Sequence, residues 1–273
     1  MCSSDLGYTV MTRLQEAVTG LDASRSLLEE MGFEHAQHLV AELMEQAVKD
    51  NASYSNFLEK VLRREHEYRE ERRIRTSLKL SGLPQGKTLE SFDFTFGRSV
   101  NKKEIELLST CEYAKRKENI LLLGPPGVGK SHLAAALGVR AVQNGFSVSW
   151  LTADDLLFRL RRDEENPSRR NRRRKYLSSG VLVIDELGFQ VLDRGDAHLL
   201  FKVVSARYER ASTIITSNKS IRDWPEMLAG DEVLTTAILD RLLHHCHVVH
   251  VDGSSYRLWE MEQRTRLAPR KEG

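Results

Sequence analysis

Two short stretches carry residue types that could act on a phosphate anhydride. The first, "GPPGVGKS", comprises Gly124, Pro125, Pro126, Gly127, Val128, Gly129, Lys130 and Ser131, with His132 next to it. It satisfies G-x-x-x-x-G-K-[ST]. The glycines let backbone N–H groups curl around phosphate oxygens, the lysine reaches the β- and γ-phosphates, and the serine hydroxyl is offered to Mg²⁺. The second stretch, "VLVIDE", carries an apolar run onto Asp185 and Glu186. An aspartate at such a strand end can hold Mg²⁺ through water, and a glutamate one residue on can orient and deprotonate an attacking water. A further apolar run, "TIITSN", ends on Asn218. If its strand lies beside that of Asp185, the Asn218 amide would face the γ-phosphate. The chemistry these residues point to is binding of ATP with Mg²⁺ and its hydrolysis, with Lys130, Glu186 and Asn218 nearest the reacting atoms.

That chemistry requires elements that bring the three stretches to one edge, and the flanking pattern supplies them. "NILLLG" precedes the glycine-rich loop and "HLAAALGVRAVQ" follows it. Beyond them "FSVSWL", "DDLLFRLRR", "VLVID", "AHLLFKVVSARYE", "TIITS", "LTTAILDRLLH" and "HVVHV" continue the alternation of short apolar runs with helical segments. The alternation predicts an α/β fold, a mainly parallel sheet covered by helices on both faces. Ahead of it, from about Leu21 to Leu80, apolar residues recur at three- and four-residue spacing with almost no glycine or proline, which predicts helices. "RREHEYREERRIR" within that region reads as a solvated helix face and "SGLPQGK" as a turn-rich linker. The expected organisation is a helical N-terminal domain over 11–85 for DNA or partner binding, a nucleotide-binding domain over 86–262, and a polar tail over 263–273.

Charge is patterned, not excessive. Lys plus Arg number 41 against 39 Asp plus Glu, so attraction for a polyanion must come from clustering. Such a cluster stands at Arg169, Arg170, Arg172, Arg173, Arg174 and Lys175. From its composition alone it is either a solvated loop or a phosphate-contacting surface. Three scattered cysteines argue against a disulfide framework and for a reducing compartment, read here as the cytoplasm. No apolar run approaches the roughly 20 residues of a membrane span, and no signal-peptide layout is evident. The opening "MCSSDL" resembles translated adapter DNA ahead of a second start at Met11, so residues 1–10 are set aside. "HHCHVVH" lacks a second ligand cluster and reads as framework, not as a metal site. "SFDFTFG" either borders the base of a bound nucleotide or packs as a strand.

Taken together, "LLLGPPGVGKSHLAAALG", "LVIDELGF", "LLFKVVSARYERASTIITSN", "AILDRLLHH" and "GSSYRL" resemble the IstB-type helper ATPases of bacterial insertion sequences, relatives of the DnaC helicase loaders within the AAA+ class. The resemblance covers about residues 20 to 260. It implies a small all-helical N-terminal domain and an AAA+ P-loop NTPase core without a substantial C-terminal lid. It also implies an ATP-dependent oligomer that assembles on double-stranded DNA and stimulates a partner transposase, with DNA-stimulated ATP hydrolysis. In related assemblies an arginine at the place of Arg241 reaches the γ-phosphate held by the neighbouring subunit. The Arg169–Lys175 cluster falls where the initiator and loader relatives carry a helical element directed at DNA. Two other functions fit the same motifs: a DnaC-like replicative helicase loader, and a non-hydrolysing DNA-binding architectural protein with a nucleotide switch.

Overall fold

A computed structural model of the chain describes residues 20–96, 100–165, 176–256, 258–259 and 261. The apolar runs form strands β1 (Asn119–Leu123), β2 (Val148–Thr152), β3 (Val181–Leu187), β4 (Ser212–Ser217) and β5 (Cys246–His250). They pair in the order β2-β3-β4-β1-β5, and every ladder is parallel. Continuous apolar runs suit such strands because helices cover both faces; Val181, Leu182, Val183 and Ile184 of β3 are each 0% exposed. The chain leaves β1 for the β2 edge, returns through β3 and β4, and then crosses β1 to reach β5. Parallel pairing sets the carboxyl ends of β3, β4 and β1 side by side, the edge at which open α/β sheets bind ligands.

The helices among the described residues include α1 (Ala36–Lys49), α2 (Tyr54–Ser81), α3 (Lys102–Ser109), α4 (Glu112–Arg116), α5 (Lys130–Gln143), α6 (Ala153–Glu165), α7 (Arg194–Arg207), α8 (Trp224–Met227) and α9 (Glu232–Leu243). Polar residues fix several starts. Asn101, Asp193 and Asp231 accept from the backbone N–H of Lys103, Asp196 and Leu234, which satisfies first-turn donors of α3, α7 and α9.

Packing divides the chain into two units between Arg75 and Thr76, inside α2. In the first, Ala36, Leu43 and Val61 form a small core with Leu28, Phe33, Leu39 and Phe57 against it. Its buried Glu65 carboxylate accepts from the N–H groups of His35 and Ala36 at the start of α1 and from Arg69. Burial alone would raise that carboxyl; the Ala36 amide, Arg69 and the His35 amide outweigh it and hold it below the ordinary glutamate range. In the second unit, Leu121, Leu123, Ile184 and Ile215 of the sheet pack with Leu156, Leu160, Val203, Trp224 and Ile238 of the helices.

The predicted cationic cluster, Arg169, Arg170, Arg172, Arg173, Arg174 and Lys175, lies outside the described residues. Its flanks are pinned. The Tyr176 hydroxyl donates to Asp163 near the end of α6 at 2.6 Å. Arg207, 2% exposed, donates to the carbonyls of Leu177, Ser179 and Ser212. Burial lowers its guanidinium to about 10, and the converging carbonyls take the place of a carboxylate, none of which pairs with it among the described residues. Burial likewise raises the Cys111 and Cys246 thiols to about 11 and about 12, which leaves both unreactive at neutral pH. No helix among the described residues is long and apolar enough to cross a membrane.

Candidate nucleotide site

The glycine-rich loop joins the end of β1 to the start of α5. Gly124, Gly127 and Gly129 all take left-handed backbone angles, with φ of 152°, 82° and 103°. Two of these positions are also crowded from outside the loop. A Cβ at Gly124 would fall 2.0 Å from the Val251 carbonyl oxygen, and one at Gly127 would fall 2.2 Å from Ser255 Oγ. The chain after β5 lies against the loop, with Val251 N–H donating to Leu123 O at 2.7 Å and Tyr256 N–H to Gly127 O at 3.1 Å. These glycines therefore answer to close backbone packing as well as to the phosphate contacts that the sequence suggests.

Gly129 precedes the first turn of α5, so Lys130, Ser131 and His132 sit at a helix N-terminus, where unpaired N–H groups and the helix dipole favour an anion. Lys130 is 8% exposed, and its Nζ donates to the carbonyls of Gly124 and Pro125, each at 2.7 Å. The ammonium is thus folded across the loop. His132 Nε2 lies 2.9 Å from Thr88 O, which can only accept, so this nitrogen carries the ring proton. That bond ties α5 to the turn leading to Phe92.

The acids stand where β3 departs from a regular ladder. Ile184 pairs with Ile215 and Leu187 with Ser217, so Asp185 and Glu186 together oppose Thr216. Glu186 occupies this bulge with φ of 63° and an exposed side chain, while Asp185 is 6% exposed. Thr216 Oγ1 accepts from the Glu186 N–H at 2.9 Å and donates to Asp185 Oδ1 at 2.5 Å. Asn218 follows β4, and its buried Oδ1 has no hydrogen-bond partner among the described residues.

A cavity of about 370 Å³ opens at this edge. Of the residues singled out from sequence, Pro126, Gly127, Gly129, Lys130, Ser131, His132, Glu186 and Asn218 line it. Gly124 and Pro125 belong to the loop but not to the cavity wall, and Val128 turns into the core at 0% exposure. Asp185, 6% exposed, is not part of the cavity wall. Arg241 is elsewhere: on α9 its Nη1 donates to Ala237 O at 2.8 Å and its guanidinium lies 5.0 Å from the Phe201 ring centroid. Thr216, Ser217 and Tyr256 also line the cavity and were not assigned there from sequence, and Phe92 of "SFDFTFG" lines it as one of the two readings of that stretch expects. Residues 91–96 form no strand. Phe92 instead meets Phe94 and His132 edge-on at 4.8 and 5.2 Å and borders the cavity.

The residues present fit a hard cation beside a polyphosphate. The Ser131 hydroxyl and the Asp185 carboxylate offer oxygen donors, the kind that Mg²⁺ prefers. The unpartnered Asn218 Oδ1 adds a buried acceptor suited to a donor from outside the chain.

Residues 26–264 match the family of IstB-like ATP binding proteins. The chain is 46% identical over 218 residues to a Geobacillus stearothermophilus protein of insertion sequence IS5376 named for ATP binding, covering 80% of this chain and 86% of that one. It is 45% identical over 235 residues to the corresponding IS21 protein of Pseudomonas aeruginosa, covering 86% and 88%. Among solved structures, AMPPCP-bound DnaA from Aquifex aeolicus is similar in fold, with a TM-score of 0.51 and 22% identity over 70% of this chain and 59% of that one. The five-stranded core is an AAA+ P-loop fold, and among the described residues no lid domain follows β5.

Proposed function

Because the chain belongs to the family of IstB-like ATP binding proteins, we propose that it is a cytoplasmic, DNA-stimulated ATPase that assembles on double-stranded DNA as an ATP-dependent oligomer and stimulates a partner transposase. Its nearest support in the molecule is one arrangement. Lys130, Glu186 and Asn218, from three separate strand ends, line a single cavity at the carboxyl edge of the sheet.

In this reading the loop and the start of α5 hold the triphosphate through backbone N–H groups. Lys130 exchanges the Gly124 and Pro125 carbonyls for phosphate oxygens. Glu186 takes the proton of the water that attacks the γ-phosphorus, the bond to the β-phosphate oxygen breaks, and ADP and phosphate form. Asn218 orients that water. Ser131 and Asp185 would hold Mg²⁺, which supplies neutralisation of charge on the β- and γ-oxygens. Glu186→Gln tests the assignment. Without the base, turnover is expected to fall by about 10² or more while ATP binding persists and the DNA-bound assembly accumulates. Phosphate release and retention of a fluorescent ATP analogue check both halves. Hydrolysis at the parental rate would remove Glu186 from this role.

The DNA contact is assigned to Arg169, Arg170, Arg172, Arg173, Arg174 and Lys175 on charge density and on the place of this cluster in the family resemblance. Neutralising the five arginines is expected to weaken binding to every duplex sequence and to flatten its salt dependence by roughly one unit of slope per lost phosphate contact. ATP binding should not change. Duplex affinity that stays parental across a salt titration returns the cluster to a solvated loop.

A further inference from the structure

We propose that Thr216 is a positioning residue of the hydrolytic site. Its hydroxyl couples the Asp185 carboxylate to the Glu186 backbone, so that the acid offered to the metal and the acid offered to water are held as one unit. This rests on the ATPase reading above.

The register makes the case. At the bulge two residues of β3 face one residue of β4, and the regular ladder is interrupted there. Thr216 provides what the ladder omits. An amide can only donate and a carboxylate oxygen accepts, so the two contacts have a fixed direction: Glu186 N–H to Oγ1 at 2.9 Å, then the hydroxyl proton to Asp185 Oδ1 at 2.5 Å. The hydroxyl's single proton is committed to Asp185.

Thr216 is itself well anchored. It is 1% exposed and pairs with Leu122 of β1 in the parallel ladder, one residue before the end of the strand that feeds the phosphate loop. Glu186, by contrast, has φ of 63°, a region that a residue with a Cβ holds only when its surroundings impose it. Through Thr216 the central strand imposes that conformation and aims the exposed Glu186 side chain at the cavity.

The test compares Thr216→Val, which keeps the shape and removes the hydroxyl, with Thr216→Ser, which keeps the hydroxyl. In Thr216→Val, kcat is expected to fall by about tenfold to a hundredfold, a larger change than the rise in KM, as small misplacements of a catalytic group do. Binding of mant-ATP without Mg²⁺ should match the parent, and its strengthening by Mg²⁺ should be reduced. Thr216→Ser should recover most of the turnover. In a Glu186→Gln background, Thr216→Val should slow the residual rate far less than in the parent, because the aim of a lost carboxylate no longer matters. Should Thr216→Val not fold, Thr216→Cys, a far weaker donor and acceptor, carries the same expectation. Parental kcat in Thr216→Val, a Thr216→Ser as slow as Thr216→Val, or an undiminished effect in the Glu186→Gln background would overturn the role. A parent that hydrolyses no more ATP than Lys130→Ala overturns the ATPase reading, and the Mg²⁺ dependence of mant-ATP binding then still decides Thr216.

Discussion

Lys130→Ala is expected to abolish ATP binding at concentrations that saturate the parent. The Lys130 ammonium is almost fully buried at the base of the loop and already folded across it by bonds to Gly124 and Pro125. A triphosphate entering here gains a cation that is partly desolvated and needs little further ordering. Truncating one member of such a buried, hydrogen-bonded charge pair costs about 2–5 kcal/mol, and a value near 4 kcal/mol weakens affinity by about 10³. Backbone N–H groups and the α5 dipole remain, but they contribute fractional charges where a full one is lost. Lys130→Arg is not expected to rescue, because the planar guanidinium cannot occupy the compact point-charge position between two carbonyls. The carbonyls left behind belong to a half-buried Gly124 and an exposed Pro125, which water can reach, so the melting temperature should stay near parental. Titration with a fluorescent ATP analogue, paired with thermal unfolding, checks both statements. Parental affinity in the folded variant would show that Lys130 is not the main phosphate contact.

The parts of this site that were legible in the sequence are those where one residue type does one job at fixed spacing. Lys130 and Ser131 follow a loop whose length is set by phosphate geometry, and Asp185 ends a run too apolar to be anything but a buried strand. What the sequence could not reveal is relational. The polarity of "DE" suggests that β3 stops at Asp185, yet Leu187 rejoins the ladder opposite Ser217 because the bulge absorbs Glu186. The role of Thr216 depends on that register and has no spacing signature. Phe92 and Tyr256 reach the cavity from opposite ends of the second unit, one through a turn bonded to His132 and the other through the chain that lies on Gly127. "SFDFTFG" alternates as a strand would, but Phe92 packs on Phe94 and on His132 of α5, and among the described residues no strand pairs with this stretch. The division within α2 is illegible for a related reason. Gly82 and Pro84 mark where the helix ends, whereas the limit of a packing unit depends on which side chains find partners.

Arg241→Ala is expected to reduce DNA-stimulated turnover by about 10³, the scale at which an arginine finger acts on transition-state charge. The geometry motivates a role in trans. Arg241 lies on α9, bonded to Ala237 O and stacked over Phe201, and does not line the cavity formed by its own phosphate loop. Loss of the stacked contact should cost stability only about 0.5–1 kcal/mol, since the side chain is half-buried. A near-parental melt with a large loss of activity would therefore separate a finger from a helix-end packing residue. Mixing supplies the sharper test. Arg241→Ala and Lys130→Ala chains should each be inactive, but in a head-to-tail assembly from equal amounts about a quarter of interfaces join an intact Lys130 to a neighbour's intact Arg241. Phosphate release should return to about that fraction of the parental rate, because each competent interface needs one residue from each variant. Mixed oligomers must be present, which native mass spectrometry reports. Parental turnover by Arg241→Ala alone would mean that the guanidinium does nothing beyond holding α9 to Phe201. Mixed oligomers without recovered hydrolysis would mean that the arginine does not reach across the interface.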